Sequence, residues 1–365
     1  MSGFGLYIHI PFCASKCPYC DFFSGKGIEK DFDRYMTVLK DKIGYWGSRT
    51  NRQLTTIYFG GGTPSVIGAE RLSSLLETIH QHFSVSDNAE ITCEVNPDSG
   101  KILDFNRMKS SGFNRISVGM QSALENEQKA LGRIHSTKDV TDTIERAKTA
   151  GIDNISLDLM LGIPFQTKES LKQSIDFCAS CGVKHISCYL LKIEAGTRFD
   201  EMRDSIAVAD EDEQAELYLY AVEYMEQLGF HQYEISNFTL PGYESRHNSA
   251  YWQCGAYIGI GPSAHSFYEG KRFFYGRSME DFEKNITIPD GAGGDEEEYI
   301  LLSLRLKSGL VFSDFEQRYG HAFPQDKLLK ANGYVRQGWM ELDNDHLCFT
   351  PKGFLLSNAI ISELI

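Results

Sequence analysis

The chain has 365 residues, enough for one large domain or two of ordinary size, and its 42% hydrophobic and 24% charged residues are typical of a well-cored globular protein. No apolar run approaches the ~20 residues of a membrane span, and a net charge of −14 argues against a general nucleic-acid surface, which would be basic. Nine cysteines, an odd number, and the lack of a signal-type start predict reduced thiols and a cytoplasmic protein, while peripheral contact with the inner face of a membrane stays open.

Strands and helices alternate through the first half of the sequence. We predict strands at 6–10, 55–59, 90–94, 115–119, 154–161 and 185–190. The predicted helices among them cover 31–46, 71–83, 102–111, 137–150 and 170–181. Segment 154–161 is almost wholly apolar, as in a strand of a parallel sheet that is covered on both faces. Six strand-then-helix units predict an α/β fold, a partial (β/α)6 barrel of the TIM type rather than the closed eight-unit form.

The alternation stops after about residue 196. We predict a long helix at 210–228, an extended piece at 233–238 and a hairpin at 339–350. The segment at 243–267 is dense in aromatic residues, His and Gly. Helices fill most of the sequence after residue 300. The predicted domains are a barrel core at 1–240, a connecting region at 241–290 and a small accessory, winged-helix-like domain at 291–365.

Three cysteines stand close together in the loop after the first predicted strand, where Cys13, Cys17 and Cys20 form a CxxxCxxC run. Three neighbouring thiols cannot all pair as disulfides, but they can reach one small inorganic centre. An iron–sulfur cubane held by three thiolates leaves one iron with an open coordination site, at which a ligand can bind. Structural zinc takes four ligands, and no fourth follows nearby. The run therefore predicts an iron–sulfur cluster, with a zinc site or scattered core cysteines as the alternatives.

Glycine or polar residues stand where later predicted strands end, among them Gly61, Glu94, Gln121 and Asp158. The carboxyl ends of parallel strands share one face, and α/β folds build their sites there. Glycine lets the backbone close on a ligand, and a carboxylate such as Glu94 suits ribose hydroxyls or an ammonium group. An acid inside an apolar strand, such as Asp158, needs a ligand or a donor. A plain turn, a solvated strand end and a structural pairing inside the barrel are the alternatives.

Residues 6–23 and 59–64 together resemble radical S-adenosylmethionine (SAM) enzymes. More narrowly, the chain resembles the family of oxygen-independent coproporphyrinogen III oxidase, which includes heme chaperones of the HemW type. The resemblance covers nearly the whole chain and implies a 4Fe-4S cluster on Cys13, Cys17 and Cys20. It also implies that the open iron binds the methionine end of SAM and that the reduced cluster can cleave the sulfonium to a 5′-deoxyadenosyl radical. Whether SAM is cleaved in function stays open, and no residue is assigned a catalytic role.

The resemblance also implies a set of SAM-binding residues. Tyr7, six positions before Cys13, is similar to the family's tyrosine near the methionine end of SAM. Arg133, twelve positions after Gln121, can pair with a carboxylate through two hydrogen bonds. The complete implied set is Tyr7, Gly61, Gly62, Thr63, Glu94, Gln121, Arg133 and Asp158.

One residue distinguishes two branches of the family. The oxidase motif has a further cysteine two positions after the third, where this chain has Phe22, and we expect no N-terminal extension of the oxidase kind. Both features are similar to the heme-chaperone branch. That branch implies heme as cargo, heme-requiring respiratory membrane proteins as partners and no nucleic-acid partner, while a homodimer stays open. The alternatives are oxidative decarboxylation of coproporphyrinogen III and radical SAM modification of RNA, against which the acidic charge weighs.

A second motif, His247-Asn248-Ser249-Ala250-Tyr251-Trp252, is similar to the HNxxYW stretch of the heme-chaperone branch. His and Tyr can ligate heme iron, and Trp can stack on a macrocycle. An aromatic packing loop is the alternative. The candidate heme-binding residues are His247, Tyr251, Trp252 and His265, followed by Cys254. The remaining cysteines are predicted to pack as small apolar groups, and they are Cys93, Cys178, Cys181, Cys188 and Cys348.

Overall fold

The structure is a computed structural model that describes residues 3–365. Its strands are β1 (Phe4–Ile10), β2 (Leu54–Gly61), β3 (Val85–Val95), β4 (Arg115–Gln121), β5 (Asn154–Leu161), β6 (His185–Leu190), β7 (His231–Glu234), β8 (Asn237–Thr239), β9 (Tyr257–Ile260), β10 (His265–Tyr268), β11 (Lys271–Tyr275), β12 (Thr287–Ala292), β13 (Leu310–Val311), β14 (Met340–Leu342) and β15 (His346–Phe349). Its α-helices are α1 (Glu29–Gly47), α2 (Ala69–His82), α3 (Pro97–Gly100), α4 (Phe105–Ser111), α5 (Glu125–Ala130), α6 (Thr137–Thr149), α7 (Lys168–Ser180), α8 (Arg198–Glu201), α9 (Glu211–Gln227), α10 (Arg246–Trp252), α11 (Met279–Glu283), α12 (Glu296–Ser303), α13 (Phe312–Tyr319), α14 (Gln325–Arg336), α15 (Pro351–Leu355) and α16 (Ser357–Leu364).

Twelve strands form one sheet in the order β12-β11-β10-β9-β1-β2-β3-β4-β5-β6-β8-β7. The first six strands pair in parallel and in chain order, with helices in the crossovers between them. The outer neighbour of β1 is β9 and that of β6 is β8, so the two ends of the six-strand unit do not pair with each other. The sheet is mostly parallel and curls without closing, which confirms the predicted α/β fold and the incomplete barrel.

The barrel strands carry polar side chains inward and apolar side chains outward. On β5, Leu157 and Leu159 are fully buried in the main hydrophobic core, whereas Asp158 between them lines an interior cavity. Ser156, on the same face as Asp158, bonds to His185 of β6 at 2.7 Å. The strand is covered on both faces, as its near-continuous apolar sequence predicts. Its few polar residues are the ones that point inward, and they build the wall of the cavity.

The segment after α9 differs most from the sequence prediction. The extended piece at 233–238 is part of a β7–β8 hairpin, which pairs antiparallel with β6. The segment at 243–267, which carried no predicted element, contains α10, β9 and the start of β10. From β9 the sheet continues through β10, β11 and β12 as antiparallel neighbours. The parallel barrel thus extends on both sides into short antiparallel ribbons.

Helix α10 closes the end of the barrel opposite the cysteine loop. The backbone N–H groups of Arg246 and His247 both donate to the carboxylate of Glu90 on β3, each at 3.0 Å. An anionic group at a helix N-terminus satisfies donors that have no partner inside the helix. The ring of His247 bridges Thr56 Oγ1 at 2.9 Å and the Tyr251 hydroxyl at 2.7 Å. The helix is therefore tied to strands that precede it by more than 150 positions in the chain.

The C-terminal part is a small unit with its own three-stranded antiparallel sheet, in the order β13-β15-β14, and with helices α13 to α16. This confirms the predicted accessory domain with its hairpin. The predicted domain boundaries near residues 240 and 290 stay predictions, although β9 to β12 belong to the main sheet. Within residues 3–365, none of the helices combines the length and the apolar character needed to cross a membrane.

Candidate functional site

A cavity of about 380 Å³ opens at the carboxyl ends of the parallel strands. The predicted cluster and SAM residues on its wall are Cys13, Cys17, Cys20, Gly61, Gly62, Thr63, Glu94, Gln121, Arg133 and Asp158. Tyr58, Ser117 and Tyr189 also line it, and sequence reasoning did not single them out. Each lies between apolar residues of its own strand, so the alternation of inward and outward side chains was the sequence signal that could have identified it. The structure therefore brings together every predicted cluster and SAM residue except Tyr7.

Tyr7 lies beside this wall. Its hydroxyl is 3.2 Å from Nδ1 of His9, and its ring stacks near that of Tyr58 with centroids 6.2 Å apart. Burial raises the pKa of Tyr7 well above its usual value, and the Glu94 carboxylate adds to this. The hydroxyl therefore stays protonated and remains a hydrogen-bond donor at neutral pH.

The cysteine loop is held at both ends by backbone hydrogen bonds. The Cys13 N–H donates to the Gly25 carbonyl and the Gly25 N–H donates to the Pro11 carbonyl, each at 2.9 Å. Nε2 of His9 reaches the Phe23 carbonyl at 2.9 Å. Burial lowers the pKa of His9 to about 4, so the ring is neutral and carries its proton on Nε2 to make that bond. These contacts fix where the chain enters and leaves the three thiols.

The glycine-rich end of β2 packs directly on the cysteine loop. The N–H of Gly62 donates to the Ile10 carbonyl at 2.8 Å, and the N–H of Thr63 donates to the Phe12 carbonyl at 2.7 Å. A Cβ at Gly62 would lie 2.7 Å from the Phe12 carbonyl oxygen, closer than real Cβ contacts come. The Thr63 hydroxyl lies 3.4 Å from the Cys13 sulfur. Glycine is thus required at position 62 by the backbone of the cysteine loop itself, in addition to any ligand.

Tyr19 and Arg133 form a pair next to the thiols. Nη2 of Arg133 donates to the Tyr19 hydroxyl at 2.6 Å, and the N–H of Phe199 on α8 donates to the Pro18 carbonyl at 3.0 Å. Nε of Arg133 is buried and has no hydrogen-bond partner among residues 3–365. A buried guanidinium with a spare donor is suited to a ligand carboxylate. Tyr19 lies between two of the cysteines, so its spacing was the signal that could have identified it.

Two carboxylates enter the cavity from neighbouring parts of the barrel. Glu94 accepts from the Tyr58 hydroxyl at 3.0 Å and from the Gly61 N–H at 3.2 Å. Asp158 accepts from the Ser117 hydroxyl at 3.0 Å. Burial, with a smaller contribution from the Asp158 charge, raises the pKa of Glu94 to about 7, and burial also raises the pKa of Asp158. Near neutral pH Glu94 can therefore either accept or donate a hydrogen bond.

We expect Glu94 to make folding stability depend on pH. Its folded pKa of about 7 lies above the ordinary 4.5, so between those values the folded chain binds more protons than the unfolded chain. The protonated Glu94 therefore stabilises the folded chain below pH ~4.5. As the pH rises toward 7, the free energy of unfolding should fall by on the order of 2–3 kcal/mol. Glu94→Gln should flatten this decline in urea unfolding of the cluster-free protein between pH 5 and 8. The exposed control Glu70→Gln should keep the wild-type slope, and an equal slope in Glu94→Gln would contradict the prediction.

The residues present fit a cluster and a SAM molecule. Three free cysteines share one wall of the cavity, which is the donor set of a cubane with one open iron. Within residues 3–365, no three His, Cys, Asp or Glu side chains converge closely enough to bind a single metal ion. Arg133 offers its spare donor to a carboxylate, while Glu94 and Asp158 offer acceptors to an ammonium group or hydroxyls. The backbone of Gln121, at φ 72°, is in the left-handed region, a strain that recurs at functional sites.

The candidate heme residues do not lie together with this group. His247, Tyr251 and Trp252 lie on α10 at the opposite end of the barrel, and His247 is only 2% exposed. His265 begins β10, beyond β9 in the antiparallel part of the sheet. Cys254 is buried just after α10. The predicted heme candidates therefore divide into a group on α10, with His247 buried and Tyr251 and Trp252 half-buried, and the exposed His265.

The similarity of this chain to known proteins is consistent with the cluster and SAM residues found in the cavity. The family model of the Radical SAM superfamily matches residues 7–178, and that of the HemN C-terminal domain matches residues 296–356. The fold is similar to that of coproporphyrinogen III oxidase (HemN) from Escherichia coli, described as a radical SAM enzyme. The TM-score is 0.85 at 20% identity, covering 100% of this chain and 90% of that chain. Residues 7–178 thus match the Radical SAM superfamily, as predicted, and the fold is similar to that of HemN.

Relatives that are more similar in sequence show the family to which the whole chain belongs. The heme chaperone HemW of Mycobacterium tuberculosis (strain CDC 1551 / Oshkosh) is 32% identical over 99% of this chain and 95% of the relative. The heme chaperone HemW of Bacillus subtilis (strain 168) is 33% identical over 98% of each chain. The chain belongs to the HemW family, which confirms the branch that Phe22 indicates.

Proposed function

We propose that this protein is a heme carrier that holds a 4Fe-4S cluster and SAM in its cavity and passes heme to heme-requiring respiratory membrane proteins. The observation that carries the proposal is the similarity, over nearly the full length of the chain, to relatives named heme chaperone. Such similarity extends over both the barrel and the C-terminal part, so it concerns the whole protein rather than a shared domain.

Phe22 supports a carrier over a porphyrin-forming enzyme. It stands two positions after Cys20, lines the mouth of the cavity and is 63% exposed. It offers no further thiol at the position where the oxidase motif has one.

In this proposal Cys13, Cys17 and Cys20 hold the cluster and the SAM-binding residues surround its open side. The spare Nε donor of Arg133 would bind the SAM carboxylate, and Glu94 would accept from ribose hydroxyls or the ammonium group. When bound, the cluster and SAM supply one-electron chemistry at the sulfonium. The Tyr19–Arg133 bond couples the arginine to the cysteine loop, so both would be oriented together.

Heme titration of the anaerobically reconstituted, cluster-loaded protein tests the proposal. We expect a saturable Soret band at one heme per chain in difference spectra against the cluster-loaded protein. Mixing with the heme-free form of a membrane-bound respiratory cytochrome should then move the heme to the cytochrome. Failure to bind heme would refute the proposal. Binding without transfer would leave a heme-binding protein but not a carrier.

A parallel assay separates the oxidase alternative. Coproporphyrinogen III, SAM and a low-potential reductant are incubated anaerobically with the same preparation, and the products are separated chromatographically. We expect no protoporphyrinogen IX above the control without protein. Formation of that product would establish decarboxylation despite Phe22.

A further inference from the structure

We propose that heme binds on the antiparallel part of the sheet, on a surface formed by His265, Phe274 and Ile288, with the His265 imidazole as an iron ligand. This heme face rests on the proposed function, because it concerns where the proposed cargo is held. It differs from the HNxxYW segment, which the sequence makes the first candidate.

The ring of His247 has no free nitrogen. Nδ1 is bonded to Thr56 at 2.9 Å and Nε2 to the Tyr251 hydroxyl at 2.7 Å. The backbone of His247 is itself bonded to Glu90, and the Tyr58 ring stacks on the imidazole at 5.1 Å. Because the side chain is only 2% exposed, iron could reach it only if the ring left its pocket, which would break both hydrogen bonds and leave the buried Thr56 hydroxyl without this partner. These contacts give the histidine, and with it the Tyr251 hydroxyl, a structural role.

His265 has the opposite surroundings. It is exposed at the start of β10, and neither ring nitrogen has a hydrogen-bond partner in the described part of the chain. An imidazole nitrogen that is accessible and uncommitted is what an axial heme ligand requires. Among the described residues, the exposed His80 and His82 on α2 have equally unbonded rings, and His231 and His346 are bonded through Nδ1 alone, so the free nitrogen by itself does not single out His265.

An apolar row extends from His265 across two more strands. The imidazole stacks on the Phe274 ring with centroids 4.8 Å apart and an interplanar angle of 18°. His265 is the register partner of Phe274, and Phe274 is the register partner of Ile288, so the three share one face of the sheet. Ile288 is 43% exposed. A ligating ring beside an aromatic and an aliphatic side chain can hold a macrocycle through the iron and through apolar contact.

The heme face continues the face of the sheet that carries Tyr7. Tyr7 on β1 pairs in register with Gly259 on β9. The antiparallel pair Phe267 and Tyr257 then sets Gly259 opposite His265. A Cβ at Gly259 would lie 2.1 Å from the His265 carbonyl oxygen, which shows how closely the two backbones approach. With no side chain at Gly259, only that strand separates Tyr7 from His265 on this face, so the heme face adjoins the barrel on its open side.

A matched pair of histidine variants tests the heme face. We expect His265→Ala to weaken ferric heme binding by the cluster-loaded protein at least tenfold and to remove the spectrum of a histidine-ligated heme. His80→Ala replaces another exposed histidine with an unbonded ring and should bind as the wild type does. In His265→Gly, added imidazole should restore the histidine-ligated spectrum, a rescue that a merely structural role would not give.

A second pair tests the apolar row without touching the ligand. Ile288→Lys is expected to weaken heme binding at least threefold, whereas Leu329→Lys, at a residue that is 70% exposed on α14, should not change it. Circular dichroism and thermal unfolding verify that each variant folds.

The outcomes separate the two proposals. If the wild type binds no heme, the proposed function fails and the heme face fails with it. If the wild type binds heme and His265→Ala binds it with the same affinity and spectrum, the heme face is refuted while the heme-carrier function stands. Loss of the ligated spectrum in a folded His247→Ala variant, with His265→Ala unaffected, would likewise refute the heme face in favour of α10.

Discussion

Serine in place of Cys13, Cys17 or Cys20 is expected to abolish cluster loading. Three thiolates are the minimum that leaves a cubane with one open iron, and serine is a poor ligand for it. Reconstituted wild type should carry about four iron atoms per chain with the broad visible absorption of a 4Fe-4S cluster, and each variant about one or fewer. Iron and sulfide analysis, together with visible absorption, measure this.

The control for these variants is Cys348→Ser. Cys348 is also free and half-buried, but it lies on β15 in the C-terminal domain. It should load as much iron as the wild type. Full loading of a Cys17→Ser variant, or loss of loading in Cys348→Ser, would contradict the assignment. Since the cysteine loop is anchored by backbone bonds on both sides, we expect all four variants to keep the wild-type circular dichroism.

Gly62→Ala is expected to displace the cysteine loop. The new Cβ would meet the Phe12 carbonyl oxygen at 2.7 Å and the Ile10 carbonyl oxygen at 2.9 Å, and backbone atoms cannot swing aside as a flexible side chain can. Overpacking of this kind costs typically ~1–3 kcal/mol. We therefore expect a lower unfolding midpoint and, because the strain falls on the loop that holds the thiols, less than half of the wild-type iron content.

The matched change is Gly25→Ala in the same loop. A Cβ at Gly25 would have no heavy atom within 4 Å, so stability and iron content should stay near the wild-type values. Urea unfolding and iron analysis of both variants test the contrast. A Gly62→Ala protein that unfolds and loads like Gly25→Ala would show that the loop adapts freely to the added carbon.

The barrel and the site around its cysteines could be predicted because their signals are local. Regular spacing of apolar segments predicts β1 to β6, and Cys13, Cys17 and Cys20 are neighbours in the chain. The capping box of α9, in which Asp210 and Glu213 bond each other's backbone, is likewise visible within four residues. A short motif with a specific spacing can therefore indicate both the fold of a protein and the chemistry of its site.

The role of α10 could not be predicted because its partners are remote. The sequence around His247 suits a heme ligand and a packing segment equally well. Only the carboxylate of Glu90, which is 157 positions away, and the hydroxyl of Thr56, which is 191 positions away, decide between a buried and an accessible ring. Strands β9 to β12 were missed for a related reason, since most are short and rich in Gly and aromatic residues, and they gain their structure from pairing.

The position of β1 in the middle of the sheet has a consequence for biosynthesis. This strand pairs with β2 on one side, but its other neighbour, β9, begins only at Tyr257. At a translation rate of ~5–20 residues per second, one edge of β1 stays unpaired for roughly 10–50 s before β9 leaves the ribosome. An unpaired edge is a template for wrong pairing, and the strand concerned leads straight into the cysteine loop. Early arrival of iron and sulfide would therefore meet a nascent chain whose thiols are present before the barrel around them is complete.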